Sequence, residues 1–408
     1  MARRITPAAI AGLLLMLSGC VSTGRDHVYL TWQGDTSTTM TVNFHTDAAP
    51  LETTVFYDTE PHGAKLRAYP NKAKGTAAHF ASPKGDRYIN SVELTGLEPG
   101  ATYYFAIGKT APAKPGPQGE YKFRTIPDNG ADIRFITGGD MGAWARPRML
   151  LAEAAQFDPL FGVVGGDIPY ANGKRKNVHL WDRWLNNWQD TMVTSDGCLV
   201  PMVLAIGNHE TNDEYSAPLE KAPFYYAWLP QGGKTYFARQ FGPDVALFVL
   251  DSDHIVPHAE QAAWLAQQLE QHENAQHKFA VYHVPLYPSH RDFDGGNSAA
   301  GREHWLPLFD QYRLEAAFEN HDHTHKRSKP LRNNEVAEGG TVYFGDGCFG
   351  VPARSIDNKG AWYLETASST PHFWVVEVSG ADTRYRAVDV HGQVFDSAAT
   401  RAPAQPGK

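Results

Sequence analysis

Short apolar and aromatic segments alternate with turn residues over the first third of the chain. Six of them, between residues 27 and 126, are rich in β-branched and aromatic residues: VYLTWQ, TMTVNFHT, TTVFYDT, INSVELTGL, TYYFAIG and EYKFRTI. Glycine, proline, aspartate and asparagine lie between them, as is typical of antiparallel strands joined by tight turns. We therefore predict an all-β sandwich over residues 27–126.

The pattern changes after PDNGAD, where longer apolar runs alternate with amphipathic stretches. The apolar runs are IRFITGG, LFGVVGG, PMVLAIG, VALFVLDSD and KFAVYHVP, and the helical stretches are RPRMLLAEAAQF, VHLWDRWLNNWQDTM and AEQAAWLAQQLEQH. This alternation predicts an α/β domain over residues 131–395. The polar end of the chain, residues 396–408, is predicted to be disordered.

The N-terminal residues 1–19 have the features of an export signal. Two arginines precede an apolar stretch too short to span a bilayer, and small residues precede Cys20. The sequence LSGC resembles the bacterial lipoprotein cleavage box, in which the cysteine is lipidated. We expect an exported lipoprotein, anchored at Cys20 through a tether of residues 20–26 and facing the periplasm or the cell surface. An ordinary signal peptide that releases a soluble protein is the alternative.

Charge and cysteine content limit the classes of partner. The formal net charge is −8, and removal of residues 1–19 takes away Arg3 and Arg4 but no acidic residue, which makes it −10. A nucleic acid is therefore not expected as a partner, and no obligate protein partner is inferred. Cys198 precedes one apolar run and Cys348 follows another, so parallel strands would separate the sulfurs. We predict that the two cysteines are unpaired.

Metal-ligand residue types recur where the predicted strands end. They are Asp140 in GGDMG, Asp167 and Tyr170 in GGDIPY, Asn208 in GNHE, His283 in YHVPLY, and His321 and His323 in NHDHTH. Each alone is ordinary, since an aspartate after a strand is commonly a turn residue or a helix cap. Together they offer oxygen and imidazole nitrogen without thiolate, a set that suits iron, zinc or manganese.

The order of these motifs is Gly-Asp, Gly-Asp-x-x-Tyr, Gly-Asn-His-Glu, His and His-x-His, which resembles that of the purple acid phosphatases within the calcineurin-like metallophosphoesterases. The stretch SVELTGLEPGATYYFAIG is similar to a fibronectin type III domain, and that family also carries an N-terminal sandwich of this kind. The resemblance covers nearly the whole chain after the signal. It implies a four-layer αββα architecture with mixed sheets.

The resemblance also assigns the ligands to two ions. A ferric ion would be held by Asp140, Tyr170 and His323, a divalent zinc, manganese or iron ion by Asn208, His283 and His321, and Asp167 would bridge them. Two carboxylates and a phenolate offset much of the charge of such a pair. A phenol has a pKa of about 10, so its ionisation indicates a strong Lewis acid beside it.

His209 is a candidate catalytic residue. It follows the predicted ligand Asn208 in GNHE, and in an extended loop neighbouring side chains point in opposite directions. We therefore expect His209 to lie over the substrate, where it binds a phosphoryl oxygen or protonates the leaving group. The alternative is a histidine that only hydrogen-bonds its own loop, through Glu210.

The chain departs from the family pattern near the leaving group. Plant members have adjacent histidines nine and ten residues after the ligand histidine, whereas counting from His283 gives Asp292 and Phe293. His290 and Arg291 are the nearest replacements, and we predict a catalytic role for His290. A solvated surface histidine is the alternative.

Two other departures lie in NHDHTH. Asn320 replaces the glycine that the family has before the first histidine, and asparagine tolerates left-handed backbone, so we expect the turn to persist. His325 replaces a tyrosine and is expected beside the metal ligands or on the surface. Neither change removes a ligand.

These assignments imply an acid phosphatase, in which a metal-bound hydroxide attacks the phosphorus of a small-molecule phosphate monoester at acidic pH. A phosphodiesterase or nucleotide pyrophosphatase is the first alternative, because the same ion pair accepts both ester classes. The second is a non-catalytic surface binding lipoprotein whose sandwich recognises a partner. The seven intact ligand positions favour an enzyme.

Overall fold

The computed structural model describes residues 26–108 and 119–402. The predicted signal, Cys20 and all but the last residue of the tether lie outside these ranges, as do residues 403–408. Export and lipidation therefore stay predictions. Within the two described ranges, no helix combines the length and the apolar composition that crossing a membrane requires.

The N-terminal domain is a sandwich of two four-stranded antiparallel sheets. Its strands are β1 (Val28–Thr31), β2 (Thr39–Thr46), β3 (Thr54–Asp58), β4 (Asn71–Lys74), β5 (Thr76–Phe80), β6 (Arg87–Thr95), β7 (Thr102–Ile107) and β8 (Tyr121–Arg124). One sheet has the order β1-β2-β6-β5 and the other the order β4-β3-β7-β8. Buried side chains such as Val42, Phe44 and Phe105 belong to one apolar cluster. The predicted all-β sandwich is confirmed.

The strands β4 and β5 are not predicted by the apolar pattern. Both are largely exposed, and their sequences, NKAK and TAAHF, lack apolar alternation. They form because β4 pairs with β3 and β5 pairs with β6, so neighbouring strands satisfy their backbone groups. Each lies at the edge of its sheet, and the lysines of β4 are typical of a protected edge.

The second domain alternates strands and helices along the chain. Its strands are β9 (Ile133–Gly138), β10 (Phe161–Val164), β11 (Met202–Leu204), β12 (Phe237–Phe241), β13 (Val245–Val249), β14 (His277–Val281), β15 (Ala316–Phe318), β16 (His325–Ser328), β17 (Leu331–Arg332), β18 (Glu335–Val336), β19 (Val342–Gly345), β20 (Leu364–Ser368), β21 (His372–Ser379), β22 (Asp382–Asp389) and β23 (Val394–Arg401). Its helices are α1 (Ala145–Ala155), α2 (Val178–Thr191), α3 (Pro218–Lys221), α4 (Pro223–Trp228), α5 (His258–Gln271), α6 (Gly296–His304) and α7 (Leu306–Gln311).

Two mixed sheets of this domain stack face to face. The first has the order β11-β10-β9-β21-β22-β23 and is parallel from β11 to β9. The second has the order β12-β13-β14-β15-β19-β16-β20 and is parallel from β13 to β19. Side chains of α1, α2 and α4 cover the outer face of the first sheet, and those of α5 and α7 cover the second. This is the predicted four-layer αββα architecture.

An aromatic core joins the two sheets. Phe135 stacks on Phe161 within the first sheet and lies 5.9 Å, between ring centroids, from both Phe279 and Phe318 of the second. Apolar residues of the N-terminal sandwich belong to the same buried cluster. The ends of the parallel strands in the two sheets are therefore held in a fixed relation to each other.

The predicted disorder of residues 396–408 is wrong for residues 396–401. They belong to β23, an edge strand that pairs antiparallel with β22 from Arg401 opposite Asp382 to Val394 opposite Val388. Asp396 also accepts hydrogen bonds from Arg327. Polar composition suggested disorder, but the partner strand satisfies the backbone groups of this segment.

Cys198 and Cys348 are unpaired and buried, as predicted. Cys198 precedes β11 in the first sheet, whereas Cys348 follows β19 in the second. The two thiols therefore lie at opposite ends of parallel strands, as expected, but in different sheets.

Candidate metal centre

The predicted ligands follow the carboxyl ends of five parallel strands. Asp140 follows β9, Asp167 and Tyr170 follow β10, Asn208 follows β11, His283 follows β14, and His321 and His323 follow β15. The first three strands belong to one sheet and the last two to the other. Because the carboxyl ends of parallel strands meet at one edge, the stacked sheets bring all seven residues to one place.

The first group of donors surrounds Asp140. Its Oδ1 lies 2.9 Å from Nε2 of His323 and accepts a hydrogen bond from the Tyr170 hydroxyl at 3.1 Å. The same hydroxyl is 3.1 Å from His323 Nε2. Asp140, Asp167 and His323 each point one ligand atom into a common space, so these residues could together hold one metal ion.

The second group surrounds His283. Its Nε2 lies 3.2 Å from Asp167 Oδ2, 3.2 Å from Asn208 Oδ1 and 3.0 Å from Nδ1 of His321. Asp167, His283 and His321 also share one space. Asp167 is therefore common to both groups, which is the geometry that a bridging carboxylate requires.

The carboxylates around the second group favour a positive charge there. Nδ1 of His283 donates to the Gly165 carbonyl at 2.9 Å, which leaves Nε2 to face the other donors. Burial opposes protonation, but Asp167 and Asp140 raise the pKa of His283 to about 9. Burial lowers the pKa of His321 well below its ordinary value, so that its nitrogen keeps a lone pair. In the metal-free chain a proton on His283 offsets the negative charge of Asp167 and Asp140. A metal cation bound by these donors would supply the same positive charge.

In the first group, the phenol of Tyr170 also depends on a nearby cation for its ionisation. Burial, and then the negative charges of Asp140 and Asp167, raise the pKa of Tyr170 far above its usual range. Without a cation the phenol therefore stays protonated. Ionisation of Tyr170 as a ligand requires an ion of high charge, which agrees with the donor chemistry expected of a ferric site.

The backbone at this edge is unusual. Five of the seven predicted ligands have φ between 52° and 77°: Asp140, Asp167, Tyr170, His321 and His323. Such left-handed backbone is uncommon in residues other than glycine and costs roughly 1–3 kcal/mol at each position. The surrounding hydrogen bonds impose it, and it turns several side chains from separate strands toward the same point.

Two glycines leave space for the carboxylates of Asp140 and Asp167. A Cβ atom on Gly347 would lie 1.8 Å from Oδ2 of Asp140, and a Cβ atom on Gly207 would lie 2.4 Å from Oδ1 of Asp167. Gly347 also has φ of 63°. Any side chain at either position would displace a predicted ligand.

Two family models match the chain. The model described as purple acid phosphatase, N-terminal domain, matches residues 25–125, and the model described as calcineurin-like phosphoesterase matches residues 129–325. The chain belongs to the purple acid phosphatase family. The two matches cover the sandwich and the part of the second domain that carries all seven predicted ligands.

Individual relatives of the family are distant. An uncharacterized protein of Mycobacterium tuberculosis is 25% identical over 353 residues, which are 75% of this chain but only 62% of that protein. Acid phosphatase type 7 of Homo sapiens is 25% identical over 350 residues, 79% of this chain and 74% of that protein. The structure of purple acid phosphatase PPD1 from yellow lupin (Lupinus luteus) seeds has a TM-score of 0.75 at 17% identity, over 92% of this chain and 74% of that chain. That likeness shows a shared fold.

His209 lies beside the candidate metal centre. Its backbone N–H donates to Asp167 Oδ1 at 2.8 Å, and its Nδ1 bonds the side-chain oxygen of Asn172. The ring centroid is 4.2 Å from that of Tyr170, and Nε2 is 3.8 Å from Asp167 Oδ2. Its side chain is 34% exposed. Its loop partner is therefore Asn172 and not Glu210, and the ring borders the open side of the centre.

Glu210 has a structural role that sequence analysis missed. Its carboxylate accepts hydrogen bonds from the backbone N–H groups of Asp167 and Ile168 at 2.8 Å and of Gly207 at 2.9 Å. It ties the loop after β10 to the loop after β11. Its place in GNHE, directly after two functional residues, is the signal that could have suggested this.

His290 makes no contact with a predicted ligand among the described residues. Its Nδ1 lies 3.0 Å from the Ser355 carbonyl and 3.1 Å from Asp357. Arg291 lies closer to the centre, since its Nη1 donates to the His321 carbonyl at 2.6 Å. His290 contacts the His-x-His segment only through its backbone N–H, which donates to Asp322 at 2.8 Å, whereas the side chain of Arg291 reaches that segment directly.

The departures in NHDHTH have other consequences than expected. Asn320 does not adopt left-handed backbone, which falls instead on His321 and His323. Its side-chain amide donates to the Tyr282 carbonyl at 3.0 Å and so packs the turn against β14. His325 of β16 is buried, and its Nε2 lies 3.2 Å from Asp396 in β23. It therefore links the second sheet to the first.

Proposed function

We propose that this chain hydrolyses small-molecule phosphate monoesters at a centre of two metal ions. The observation that carries the proposal is the presence of two donor groups, one with Asp140 and His323 and one with His283 and His321, that share Asp167. Bound there, the ions would supply Lewis acidity, a water of lowered pKa and a clamp for the phosphoryl oxygens.

The residues of the chain have separate tasks in this proposal. Asp167 would contribute a carboxylate to both ions, and Glu210 keeps the loop of Asp167 in place through the backbone. Asn172 bonds Nδ1 of His209, so Nε2 is the nitrogen that remains for a phosphoryl oxygen or a leaving alkoxide. The expected pH optimum is acidic, because protonated His209 assists the leaving group.

The proposal is tested with purified, metal-loaded protein. Metal content is measured, and hydrolysis of p-nitrophenyl phosphate and of bis(p-nitrophenyl) phosphate is followed across the acidic and neutral pH range. We expect two ions per chain, preference for the monoester, and loss of both ions and all activity in Asp167→Ala. His391→Ala, which changes an exposed histidine in a turn, is the matched control and should behave as wild type.

Other outcomes of this experiment are equally clear. Preference for the diester would replace the phosphatase with a phosphodiesterase on the same centre. A protein that binds no metal and turns over neither substrate would contradict the proposal and favour a surface binding protein.

We further propose that the first group holds Fe(III) and that the second holds zinc, manganese or iron. The support is Tyr170, whose phenol needs an ion of high charge in order to ionise. Wild type should then show a visible charge-transfer absorption that Tyr170→Phe abolishes. An active, colourless wild type with only zinc or manganese would exclude the iron.

A further inference from the structure

Arg354 lies directly beside the His-x-His segment. Its backbone N–H donates to the His323 carbonyl at 2.9 Å, and its Nη1 donates to the His321 carbonyl at 3.3 Å. Its guanidinium therefore contacts a predicted ligand of the second group, and its backbone contacts a predicted ligand of the first. Its side chain is only half-buried, so part of it remains open to a molecule in the site.

Arg146 lies in the first turn of α1, the helix that covers the first sheet. Its Nη1 lies 3.1 Å from the Val351 carbonyl and 3.4 Å from the Gly350 carbonyl. Gly350 O also accepts from Nε1 of Trp144, whose ring centroid is 6.1 Å from that of Tyr170. Arg146 is thus on the Tyr170 side of the centre, and the loop of residues 350–354 joins it to Arg354.

Neither arginine has an acidic partner in the part of the chain that the structure describes; their hydrogen bonds are to backbone carbonyls. Arg291, by contrast, pairs with Asp322 at 2.9 Å. The two arginines share one loop, because Arg146 bonds the carbonyls of Gly350 and Val351 and Arg354 lies three residues after Val351.

Uncompensated positive charge does not help a site to hold cations, because like charges repel. It also costs free energy to bury a guanidinium without a counter-charge. A bound anion removes both unfavourable effects, because a guanidinium binds phosphate oxygens through paired, charge-assisted hydrogen bonds. In the proposed function the two ions neutralise the phosphoryl group that reacts, so the arginines remain available for another anion.

We propose that Arg354, together with Arg146, forms a subsite for a second phosphoryl group of the substrate. The inference rests on the proposed function and names its substrate class: phosphate monoesters that carry another phosphate a few bonds away. The second phosphate is bound and not cleaved. It raises affinity and orients the ester across the open side of the centre.

The test compares two substrates that differ only in the second phosphate, propane-1,3-diol bisphosphate and propyl phosphate. Wild type should prefer the bisphosphate in kcat/KM. Arg354→Ala should reduce that preference by roughly 10- to 100-fold, the value of a charge-assisted contact, and Arg146→Ala should reduce it less. Propyl phosphate turnover should change less than about threefold, and the metal content should equal that of wild type.

Arg148→Ala is the matched control. It removes an arginine from the same helix as Arg146, but Arg148 pairs with Asp190 at 3.1 Å and should leave the preference unchanged. Arg354→Lys should recover part of the preference, because charge is kept while the paired geometry is lost.

A binding measurement separates this inference from the proposed function. Calorimetric titration with propane-1,3-bisphosphonate and with propylphosphonate, neither of which is hydrolysed, should show a preference for the bisphosphonate that Arg354→Ala removes. Equal losses on both compounds, or loss of metal in Arg354→Ala, would overturn the subsite. Binding that behaves as expected in a protein without turnover would keep the subsite and refute the phosphatase.

Discussion

At the scale of single residues, the orientation of His209 is fixed by its surroundings. Its Nδ1 is engaged by Asn172, and its ring lies along Tyr170 with Nε2 toward the open side. No feature of GNHE specifies this orientation. The partner Asn172 comes from a different loop, the one that follows β10.

We predict that His209→Ala keeps both metal ions and lowers kcat by roughly 10²- to 10⁴-fold. The loss should be larger for alkyl phosphates, whose leaving groups need a proton, than for p-nitrophenyl phosphate. Steady-state kinetics with both substrates and metal analysis provide the check. Equal losses would indicate phosphate binding without acid catalysis, and loss of metal would make His209 a ligand.

The pH dependence of this step has a definite sign. Burial lowers the pKa of His209 below its ordinary value. His209 therefore loses its proton at a lower pH than a free imidazole does. The rate gain that His209 gives to alkyl phosphates should decline as the pH rises through the pKa of His209. His209→Ala should lack this decline.

At the scale of elements, β23 is held by side chains as well as by its ladder. Asp396 accepts hydrogen bonds from Nε and Nη2 of Arg327 at 3.0 and 2.9 Å, and its Oδ2 lies 3.2 Å from His325 Nε2. Burial opposes its ionisation, but the bonds from His325 and Arg327 hold the pKa of Asp396 below its ordinary value. One carboxylate thus links β23 to β16 in the other sheet.

We predict that Asp396→Asn lowers the free energy of unfolding by about 1–3 kcal/mol at neutral pH, because hydrogen bonds to a charged group are lost. A depressed pKa stabilises the fold above the unfolded value of about 3.9. The difference between variant and wild type should therefore shrink as pH falls below about 4.

Denaturant unfolding of both proteins at several pH values measures this difference. Asp382→Asn is the control, since Asp382 pairs with Arg401 in an exposed bridge that contributes little. A difference that does not change with pH would exclude the ionised carboxylate as its cause.

At the scale of the whole molecule, buried polar contacts join the sandwich to the second domain. Arg87 of β6 donates hydrogen bonds from two guanidinium nitrogens to the carboxylate of Asp182 in α2. Nε2 of His27 lies 3.1 Å from the same carboxylate. The Arg87 side chain is 1% exposed. The Tyr29 hydroxyl donates to the Trp228 carbonyl at 2.5 Å across the same interface.

We predict that Asp182→Asn destabilises the protein by about 3–5 kcal/mol, because Arg87 would stay buried without its counter-charge. Denaturant unfolding provides the measurement. Asp190→Asn, on the same helix but in the partly exposed pair with Arg148, should cost far less. An equally small effect of both changes would show that the interface depends on apolar contacts alone.

The sequence by itself determined the element types and the ligand chemistry. Strongly patterned segments such as IRFITGG and AEQAAWLAQQLEQH form a strand and a helix, because apolar periodicity is a local property. The residue types Asp, Tyr, Asn and His at strand ends specified hard and borderline metal chemistry, and their order along the chain carried the family resemblance.

Only the tertiary structure decided which groups meet. The strands β4 and β23 lack a local signal and exist through their partners, so composition suggested disorder for much of β23. The bonds of Glu210 join loops that follow two strands of the first sheet, and the contact of Arg354 with the His-x-His segment joins loops that follow two strands of the second. Both contacts depend on segments that are distant in sequence and adjacent in the fold. These contacts and strands depend on hydrogen bonds and charges between segments that are distant in sequence, and a local sequence pattern cannot predict such contacts.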